Sequence, residues 1–384
     1  MFFGKVWFPL IYLDNAATTK PCSAAVKAAC EAMTDNFGNP SSLHRAGLNA
    51  QLAVDAARKT IADSIGTESG CIYFTSGATE SNNLAIRGAS AAYGRKKHRI
   101  VASSVEHASV DETLADMEKK GFEVVRVSPR EDGRFCAEDF ISACTEDTVL
   151  VTMMYVNNET GYILPVKEVF SAVKRRFPET VTHCDCVQAY MKLPVKVNQL
   201  QADLISLSGH KVHGVKGCGA LYIKKGIRVL PIITGGKQEK GIRSGTESVP
   251  LIAAFGAAVK ELSPTISERY DTVSGLKNSL VNKLSSIEGV TVNSPVDGSP
   301  YIVNISAEGK RSEIMLHFLE SKEIYVSSGS ACSKGQQSGV LGEFGITGKR
   351  ADSAVRISMT AETTEEELEM FCDAVREGME KVRG

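Results

Sequence analysis

The chain has 384 residues, of which 43% are hydrophobic and 23% charged, and its formal net charge is −1. This composition is ordinary for a globular protein, and the charge gives no reason to expect a nucleic acid or a membrane as partner. The length predicts about two to three domains. Ten irregularly spaced cysteines do not form a disulfide scaffold, so we expect a reducing, cytoplasmic setting and no metal site. The apolar start, residues 1–11, is too short to cross a membrane and lacks the features of a signal peptide; it has no assigned role.

Short apolar runs alternate with helical patterns over the first two thirds of the chain. A short strand and turn at 12–19 is followed by helices predicted over 23–36 and 48–65. Strands are then predicted over 71–75, 99–103, 122–127, 149–156, 181–187, 203–207 and 220–223, with helices over 80–90, 110–120, 137–144 and 167–176. This alternation indicates an α/β fold with a mostly parallel sheet. Ligands of such sheets bind beyond the carboxyl ends of the strands.

The pattern changes after Pro250. A long helical stretch covers 251–286 with a possible break at Pro264, followed by strands over 290–293 and 301–305, a helix over 313–320, a strand over 354–359 and a helix over 364–382. These elements predict a smaller α+β domain. We place the large domain at 18–254 and assign 1–17 and 255–384 to the small one.

Lys211 follows an apolar strand and lies in a glycine-rich turn, within the run LISLSGHKVHGVKG. An amine in a dry pocket has a lowered pKa and can form a Schiff base with an aldehyde. A lone lysine after a strand is more often a surface residue, so the chemical interpretation needs other parts of an aldehyde-cofactor site.

Two further stretches supply such parts. The run FTSGATESNN, from Phe74, predicts a strand, a turn at Gly77 and a helix start, whose free amides and Thr79 hydroxyl could bind one phosphate. Asp185 lies on an otherwise apolar strand, where a carboxylate needs a partner such as a protonated ring nitrogen. Lysine and acid together match the pairing used by pyridoxal phosphate. A capped helix and a structural aspartate are the alternatives.

Four more residues are candidates for the chemistry. His107 ends a strand and could stack on a ring or move protons; Asn158 could donate to a ring oxygen or a substrate carboxylate. Arg356 alternates with apolar residues on a strand and could pair with a carboxylate. Cys332 lies among small polar residues in SSGSACSKG, an open loop in which a thiolate could act as nucleophile. A satisfied loop histidine, a turn asparagine and a surface arginine are the plainer interpretations.

Taken together, these motifs resemble the pyridoxal-phosphate cysteine desulfurases of the class V aminotransferase group. The resemblance runs from Tyr12 to the C-terminus and rests on LDNAATT, GNPSSLHRAG, FTSGATESNN, VEHASV, VNNETG, SLSGHKVHGVKG, GIRSGTES and SSGSAC. It implies the fold of type I pyridoxal-phosphate enzymes, with a seven-stranded, mostly parallel sheet in the large domain, and a homodimer.

The resemblance also implies a role for each matching residue. Lys211 would form the Schiff base, His107 would stack over the ring as an acid/base, and Cys332 would take the sulfur. The remaining cofactor contacts are implied for the phosphate (Ala78, Thr79, Ser208, His210, and Thr246 from the other subunit), the pyridine nitrogen (Asp185), the ring hydroxyl (Gln188), and cofactor and substrate together (Asn158). Arg356 would bind the carboxylate of cysteine.

By this resemblance the protein converts L-cysteine to L-alanine and passes the sulfur, as a persulfide on Cys332, to an acceptor protein such as an iron–sulfur scaffold or a tRNA-thiolation protein. A selenocysteine lyase, another class V aminotransferase and a non-catalytic sulfur scaffold are the alternatives. Cys184 and Cys186 flank Asp185, and because side chains alternate along a strand, we expect both thiols to point away from it and to serve packing.

Overall fold

The structure is a computed structural model that describes residues 10–328 and 339–382. Its strands are β1 Ile11–Tyr12, β2 Ile72–Thr75, β3 Arg99–Ser103, β4 Glu123–Val127, β5 Thr148–Met154, β6 Val181–Asp185, β7 Leu204–Ser208, β8 Gly219–Ile223, β9 Val290–Val292, β10 Ile302–Ala307, β11 Ile324–Tyr325 and β12 Ala354–Ser358. Its α-helices are α1 Ser23–Thr34, α2 Arg45–Ile65, α3 Ala78–Tyr93, α4 Ala108–Lys119, α5 Ala137–Ala143, α6 Val166–Arg176, α7 Val197–Leu200, α8 Val249–Leu262, α9 Ile266–Ser285, α10 Ser312–Glu320, α11 Gly339–Glu343, α12 Gly348–Asp352 and α13 Glu365–Lys381.

The chain divides into two compact units. The larger comprises Thr19–Asn157 and Leu164–Ile266; the smaller comprises Met1–Thr18, Asn158–Ile163 and Ser267–Gly384, as far as the structure describes them. The larger unit thus includes all of α8, which lies partly beyond residue 254. The domain boundaries given from the sequence stay a prediction.

The larger unit contains a seven-stranded sheet in the order β2-β8-β7-β6-β5-β3-β4. Pairs within β7-β6-β5-β3-β4 are parallel, whereas β8 is antiparallel to both β7 and β2. Six strands therefore share one direction, and their carboxyl ends lie along one edge. The predicted α/β fold with a mostly parallel, seven-stranded sheet is confirmed.

The strands of this sheet are apolar because they are buried. Every residue of β5, β6, β7 and β8 is buried, as the near-continuous hydrophobic runs predict for a parallel sheet. A core cluster joins residues of α3 and α4, such as Leu84 and Leu114, to Ile100, Leu150 and Leu204 of the sheet. Each fully buried side chain of this size contributes about 1.5–3 kcal/mol.

Helix α8 is apolar because it packs between other elements of the larger unit. Ala254 and Ala258 form a buried cluster with Ala25 and Ala29 of α1. Among the described residues, the stretch Val249–Ser285 is long and apolar enough to span a membrane by length and composition. The burial of α8 accounts for that composition. A 3₁₀ turn at Ser263–Thr265 separates α8 from α9, as the proline at 264 predicted.

The smaller unit is built on β-strands of its own. Strands β12, β10 and β9 form an antiparallel sheet, and β1 pairs with β11 in parallel. Helix α13 begins with a capping box between Thr364 and Glu367. The short elements α7, β11, α11 and α12 were not predicted from the sequence.

Candidate active site

Predicted site residues of the larger unit follow the carboxyl ends of neighbouring strands in its sheet. Asp185 ends β6 and is the cross-strand partner of Ser206 in β7, whose next turn, Gly209–Lys211, carries Lys211. The remaining positions follow the same edge: Ala78 and Thr79 after β2, His107 after β3, Gln188 after β6, and Ser208 and His210 at the end of β7 and beyond it. One edge of the sheet thus gathers an amine, a carboxylate, an imidazole and a helix N-terminus.

The turn that carries Lys211 is tight. Gly209 N donates to the carbonyl of Cys218 at 3.0 Å, and Gly214 N donates to the carbonyl of Gly209 at 3.0 Å. A Cβ atom on Gly214 would lie 2.8 Å from the Gly209 carbonyl oxygen, so only glycine fits there. Lys211 itself is partly exposed, as a reacting amine must be.

The Asp185 carboxylate is buried and oriented by two donors. Its Oδ2 accepts from Asn82 Nδ2 at 2.8 Å, and its Oδ1 accepts from Val187 N at 2.9 Å. Two carboxylate oxygens offer about four acceptor positions, so room remains for the N–H of a protonated ring.

A buried amide links this carboxylate to His107. Asn82 is fully buried, and its Nδ2 also donates to Ser109 Oγ at 2.9 Å. Ser109 Oγ lies 2.9 Å from His107 Nδ1, so the four side chains form one chain of polar contacts. Sequence reasoning missed Asn82 and Ser109, although both lie in the motifs FTSGATESNN and VEHASV.

His107 caps helix α4. Its Nδ1 accepts from Ser109 N at 3.1 Å, so the proton of the neutral ring lies on Nε2. The residue is exposed, so a ligand can approach the ring. The predicted helix start thus also fixes the orientation of the imidazole.

Glu106, next to His107, is a second residue that sequence reasoning passed over. Its Oε1 accepts from the Ser103 hydroxyl and from Met154 N, while Oε2 is buried and has no hydrogen-bond partner among the described residues. Burial raises the pKa of Glu106 to about 8, and the negative charge of Asp185 acts in the same direction. The carboxyl is therefore mostly protonated at neutral pH.

Phosphate-binding groups are present at the start of α3 and the end of β7. Helix α3 begins at Ala78 with its first-turn amides at the end of β2. The hydroxyl of Ser208 is buried without a hydrogen-bond partner in the described part of the chain. Burial, assisted by the charges of nearby lysines, lowers the pKa of His210 to about 4, so the neutral ring can donate one N–H. These groups fit the phosphate of pyridoxal phosphate.

Glycine lets two strands meet at this phosphate loop. A Cβ on Gly219 of β8 would lie 2.7 Å from the carbonyl carbon of Gly77 and 2.7 Å from the oxygen of Leu207. A Cβ on Gly77 would meet no atom within 4 Å, so the loop borders open space on its other side. The space and the bare backbone suit a phosphate group.

The segment that carries Thr246 is tied to the same unit by two ion pairs. Arg58 forms a bidentate pair with Glu239, with both distances 2.7 Å, and Arg243 Nε lies 2.8 Å from Glu80 at the start of α3. Within the segment, Gly245 N donates to Gln238 Oε1 at 2.9 Å. The polar residues after Gly235 therefore serve to brace this loop.

In the smaller unit, Arg356 is buried on β12 and is not a surface arginine. Its NH1 donates to the Asn158 carbonyl at 3.0 Å, and its NH2 lies 2.9 Å from Asp14 Oδ1. The Nε group is buried without a hydrogen-bond partner among the described residues. The backbones of Ser327 and Arg356 exchange hydrogen bonds of 3.1 and 2.7 Å. Cys332, five residues beyond Ser327, lies outside the described residues.

Cys184 and Cys186 lie together in the core. Both are fully buried, and their sulfur atoms are 3.4 Å apart. Alternation along the strand put both thiols on one side, as expected. The two thiols lie against each other, and the Asp185 carboxylate accepts hydrogen bonds from Asn82 and Val187.

Comparison with known proteins places nearly the whole chain in one family. The Aminotransferase class-V profile matches residues 11–371. A curated cysteine desulfurase IscS from Methanosarcina thermophila is 38% identical over 376 residues, covering 97% of this chain and 93% of the relative. A solved structure titled NIFS-LIKE PROTEIN superimposes with a TM-score of 0.92 at 34% identity, covering 97% of this chain and 100% of that one. Another, titled SspA in complex with cysteine, has a TM-score of 0.81 at 32% identity and covers 92% of this chain and 100% of that one.

Proposed function

The chain belongs to the class-V aminotransferase family and is a pyridoxal-phosphate-dependent cysteine desulfurase, and we propose that it uses Lys211, Asp185 and Cys332 to convert L-cysteine to L-alanine. The relative bound to cysteine supports L-cysteine as the substrate. The observation that carries the assignment of residues is the position of Asp185 and Lys211 on adjacent strand ends, beside the helix start that suits a phosphate.

Bound pyridoxal phosphate would supply a ring that takes up the negative charge left when the α-proton of cysteine is removed. Asp185 would hold the pyridine nitrogen protonated, and the amine of Lys211 would remove the α-proton of the substrate. His107 supplies an imidazole for acid/base steps over the ring. Arg356 binds the carboxylate of the substrate, and the burial of its guanidinium beside Asp14 supports this role.

Cys332 then receives the sulfur. Its thiolate attacks Sγ of the substrate, so an S–S bond forms as the Cβ–Sγ bond breaks; the bonding electrons stay on Cβ, which takes a proton to give alanine. The backbone pairing of Ser327 with Arg356 supports this role, because the loop starts at the strand that carries the carboxylate-binding residue. Because five residues of extended chain span at most about 17 Å, this length is the limit on how far Cys332 can lie from Ser327.

We also infer a homodimer in which Thr246 reaches the phosphate of the partner. The ion pairs of Arg58 and Arg243 support a rigid segment for this purpose. Large apolar side chains are exposed on α1 and α2, in the segment between these helices, and in the segment after β8 (Met33, Phe37, Leu48, Leu52, Leu230, Ile232). Contact with a second subunit would bury these side chains.

The persulfide sulfur passes to an acceptor protein, and we propose an iron–sulfur scaffold or a tRNA-thiolation protein in the cytoplasm. The nine cysteines in the described part of the chain are free thiols, which supports a reducing compartment. Labelled cysteine, followed into proteins captured with the enzyme, identifies the acceptor.

Two substitutions test the reaction. Cys332→Ser should bind pyridoxal phosphate and cysteine but form no persulfide and no alanine catalytically, whereas Lys211→Ala should fail before that, at proton removal. Cys30→Ser, which removes an exposed thiol on α1, is the matched control and should turn over normally. Catalytic turnover by Cys332→Ser with cysteine would refute the role of that thiol, and preferential turnover of selenocysteine would favour a lyase.

A further inference from the structure

Lys192 is a buried cation next to the candidate cofactor site, and the proposed reaction does not use it. Lys192 is only 6% exposed, and its Nζ donates to Gln188 Oε1 at 3.0 Å. Burying a lysine is costly unless it is hydrogen-bonded, so this position is a poor one for a residue without a task.

The local backbone is shaped to bring the two side chains together. Gln188 and Lys192 lie in the turns that leave β6, where Leu193 N donates to the Ala189 carbonyl at 2.8 Å. Met191, immediately before Lys192, has a left-handed φ of 57°, which a non-glycine residue adopts only when its surroundings impose it. This conformation lies directly before the residue that contacts Gln188.

The hydrogen bond from Lys192 determines the orientation of the Gln188 side-chain amide. An ammonium group has three donors and no acceptor, so the amide atom that faces it is the oxygen. The amide nitrogen, with two hydrogens, then faces away from Lys192. Without such a partner, an amide can rotate and offer either a donor or an acceptor to a ligand.

Lys192 also acts on the phosphate side of the site. Burial is the largest cause of the lowered pKa of His210. The charges of Lys211, Lys216 and Lys192 lower it further. One buried cation is therefore close to both Gln188 and His210, two residues that we assign to the cofactor.

We propose that Lys192 is a positioning residue: it holds the oxygen of Gln188, so that the amide nitrogen is presented as a donor to the ring hydroxyl oxygen of pyridoxal phosphate. This inference rests on the proposed function and assigns a role to a residue that contacts Gln188. It predicts that the effect of Lys192 on the cofactor passes through Gln188.

A double-mutant cycle tests this. Apoproteins of the wild type, Lys192→Met, Gln188→Leu and the double variant are titrated with pyridoxal phosphate, and the pH dependence of the visible absorption band of each holoprotein is recorded. Each single variant should bind the cofactor about two- to tenfold more weakly, the value of one hydrogen bond, and shift the pH profile upwards. The double variant should match Gln188→Leu, because Lys192 has nothing left to orient.

Lys216→Met is the matched control, since it removes an exposed lysine whose charge also acts on His210. If it reproduces Lys192→Met, or if the two single effects add in the double variant, Lys192 acts by charge and the proposal fails. Gln188→Glu gives an independent measurement with Lys192 intact. The second carboxylate oxygen of this variant can only accept, so the variant should bind pyridoxal phosphate more weakly than Gln188→Leu does. Wild-type affinity of Gln188→Glu for the cofactor would overturn the proposal. A wild type that binds no pyridoxal phosphate would instead refute the proposed function.

Discussion

The amide nitrogen of Asn82 lies 2.8 Å from the carboxylate of Asp185, and both side chains are buried. Asn82 is on the first turns of α3 and Asp185 ends β6, so the helix that starts at the candidate phosphate site also orients the candidate ring-nitrogen acceptor. Two ends of one cofactor would therefore be coupled through a single helix.

Replacing Asn82 by Asp should weaken this arrangement. The new carboxylate would face Asp185 and lose the donor to Ser109, and two buried carboxylates at this distance cannot both ionise. We expect affinity for pyridoxal phosphate to fall about 10- to 100-fold, measured by absorbance titration of the apoprotein. Asn198→Asp adds the same charge at an exposed position of α7 and should bind normally. If Asn82→Asp binds pyridoxal phosphate with unchanged affinity, Asn82 does not contribute to the cofactor site.

A methyl group on Gly219 should disturb the phosphate loop. The Cβ would lie within 2.8 Å of Gly77 backbone atoms and the Leu207 oxygen, and backbone on both sides cannot move away as a side chain can. We expect Gly219→Ala to lose about 1–3 kcal/mol of unfolding free energy in urea denaturation and to bind cofactor weakly.

Gly275→Ala is the matched glycine substitution. Gly275 lies within α9, and a Cβ there meets no atom within 4 Å. Alanine should therefore raise stability by about 1 kcal/mol through its higher helix propensity. Equal stability of the two variants would mean that the loop accommodates a Cβ at 219.

The sequence predicted the main elements because burial imposes a pattern on it. The strands of a covered parallel sheet are short apolar runs, and their ends were located to within about two residues, including β3 at Arg99–Ser103. Proline at 264 marked the break between α8 and α9. The short strand β11 and helix α7 have too few residues to show a period, which is why they were missed.

Which polar groups meet could not be predicted in the same way. Asn82 and Ser109 belong to different helices, and Arg356 meets Asp14 from 342 residues along the chain. Periodicity states that a side chain faces inwards but not which partner it finds there. Glu106 and Lys192 were missed for this reason, since each looks like an ordinary surface charge until its burial is known.

Glu106 should make stability fall as the pH rises from about 4.5 to about 8. Burial raises the pKa of Glu106 to about 8, against 4.5 for an exposed glutamate. A raised carboxyl pKa contributes stability that is fully present below the unfolded value and is lost as pH rises through the folded value. The loss should approach about 1.4 kcal/mol per pH unit between 4.5 and 8.

Glu106→Gln removes this titration and keeps a neutral acceptor for Ser103 and Met154. The difference in unfolding free energy between variant and wild type, measured in urea at several pH values, should therefore grow in favour of the variant from pH 4.5 to 8. Parallel curves over that range would mean that Glu106 ionises in the folded protein much as it does in the unfolded chain.

His183 should act in the opposite direction, on the acid side. Its Nδ1 lies 2.8 Å from Thr152 Oγ1 and its Nε2 lies 3.0 Å from Ser206 Oγ, so the neutral ring joins β5, β6 and β7. Burial lowers the pKa of His183 to about 3. The unfolded chain takes up a proton below about pH 6.5 and the folded chain does not, so stability falls with pH from 6.5 towards 3, by about 2 kcal/mol at pH 5.

His183→Asn keeps a group that can bond Thr152 and cannot take up the proton, so its melting temperature should be lower at pH 7 but should fall less steeply between pH 6.5 and 5. The exposed His317→Asn substitution on α10 should give a curve parallel to that of the wild type. If His183→Asn and the wild type lose stability at the same rate on acidification, protonation of another group governs acid unfolding, and the buried imidazole serves only to join the three strands.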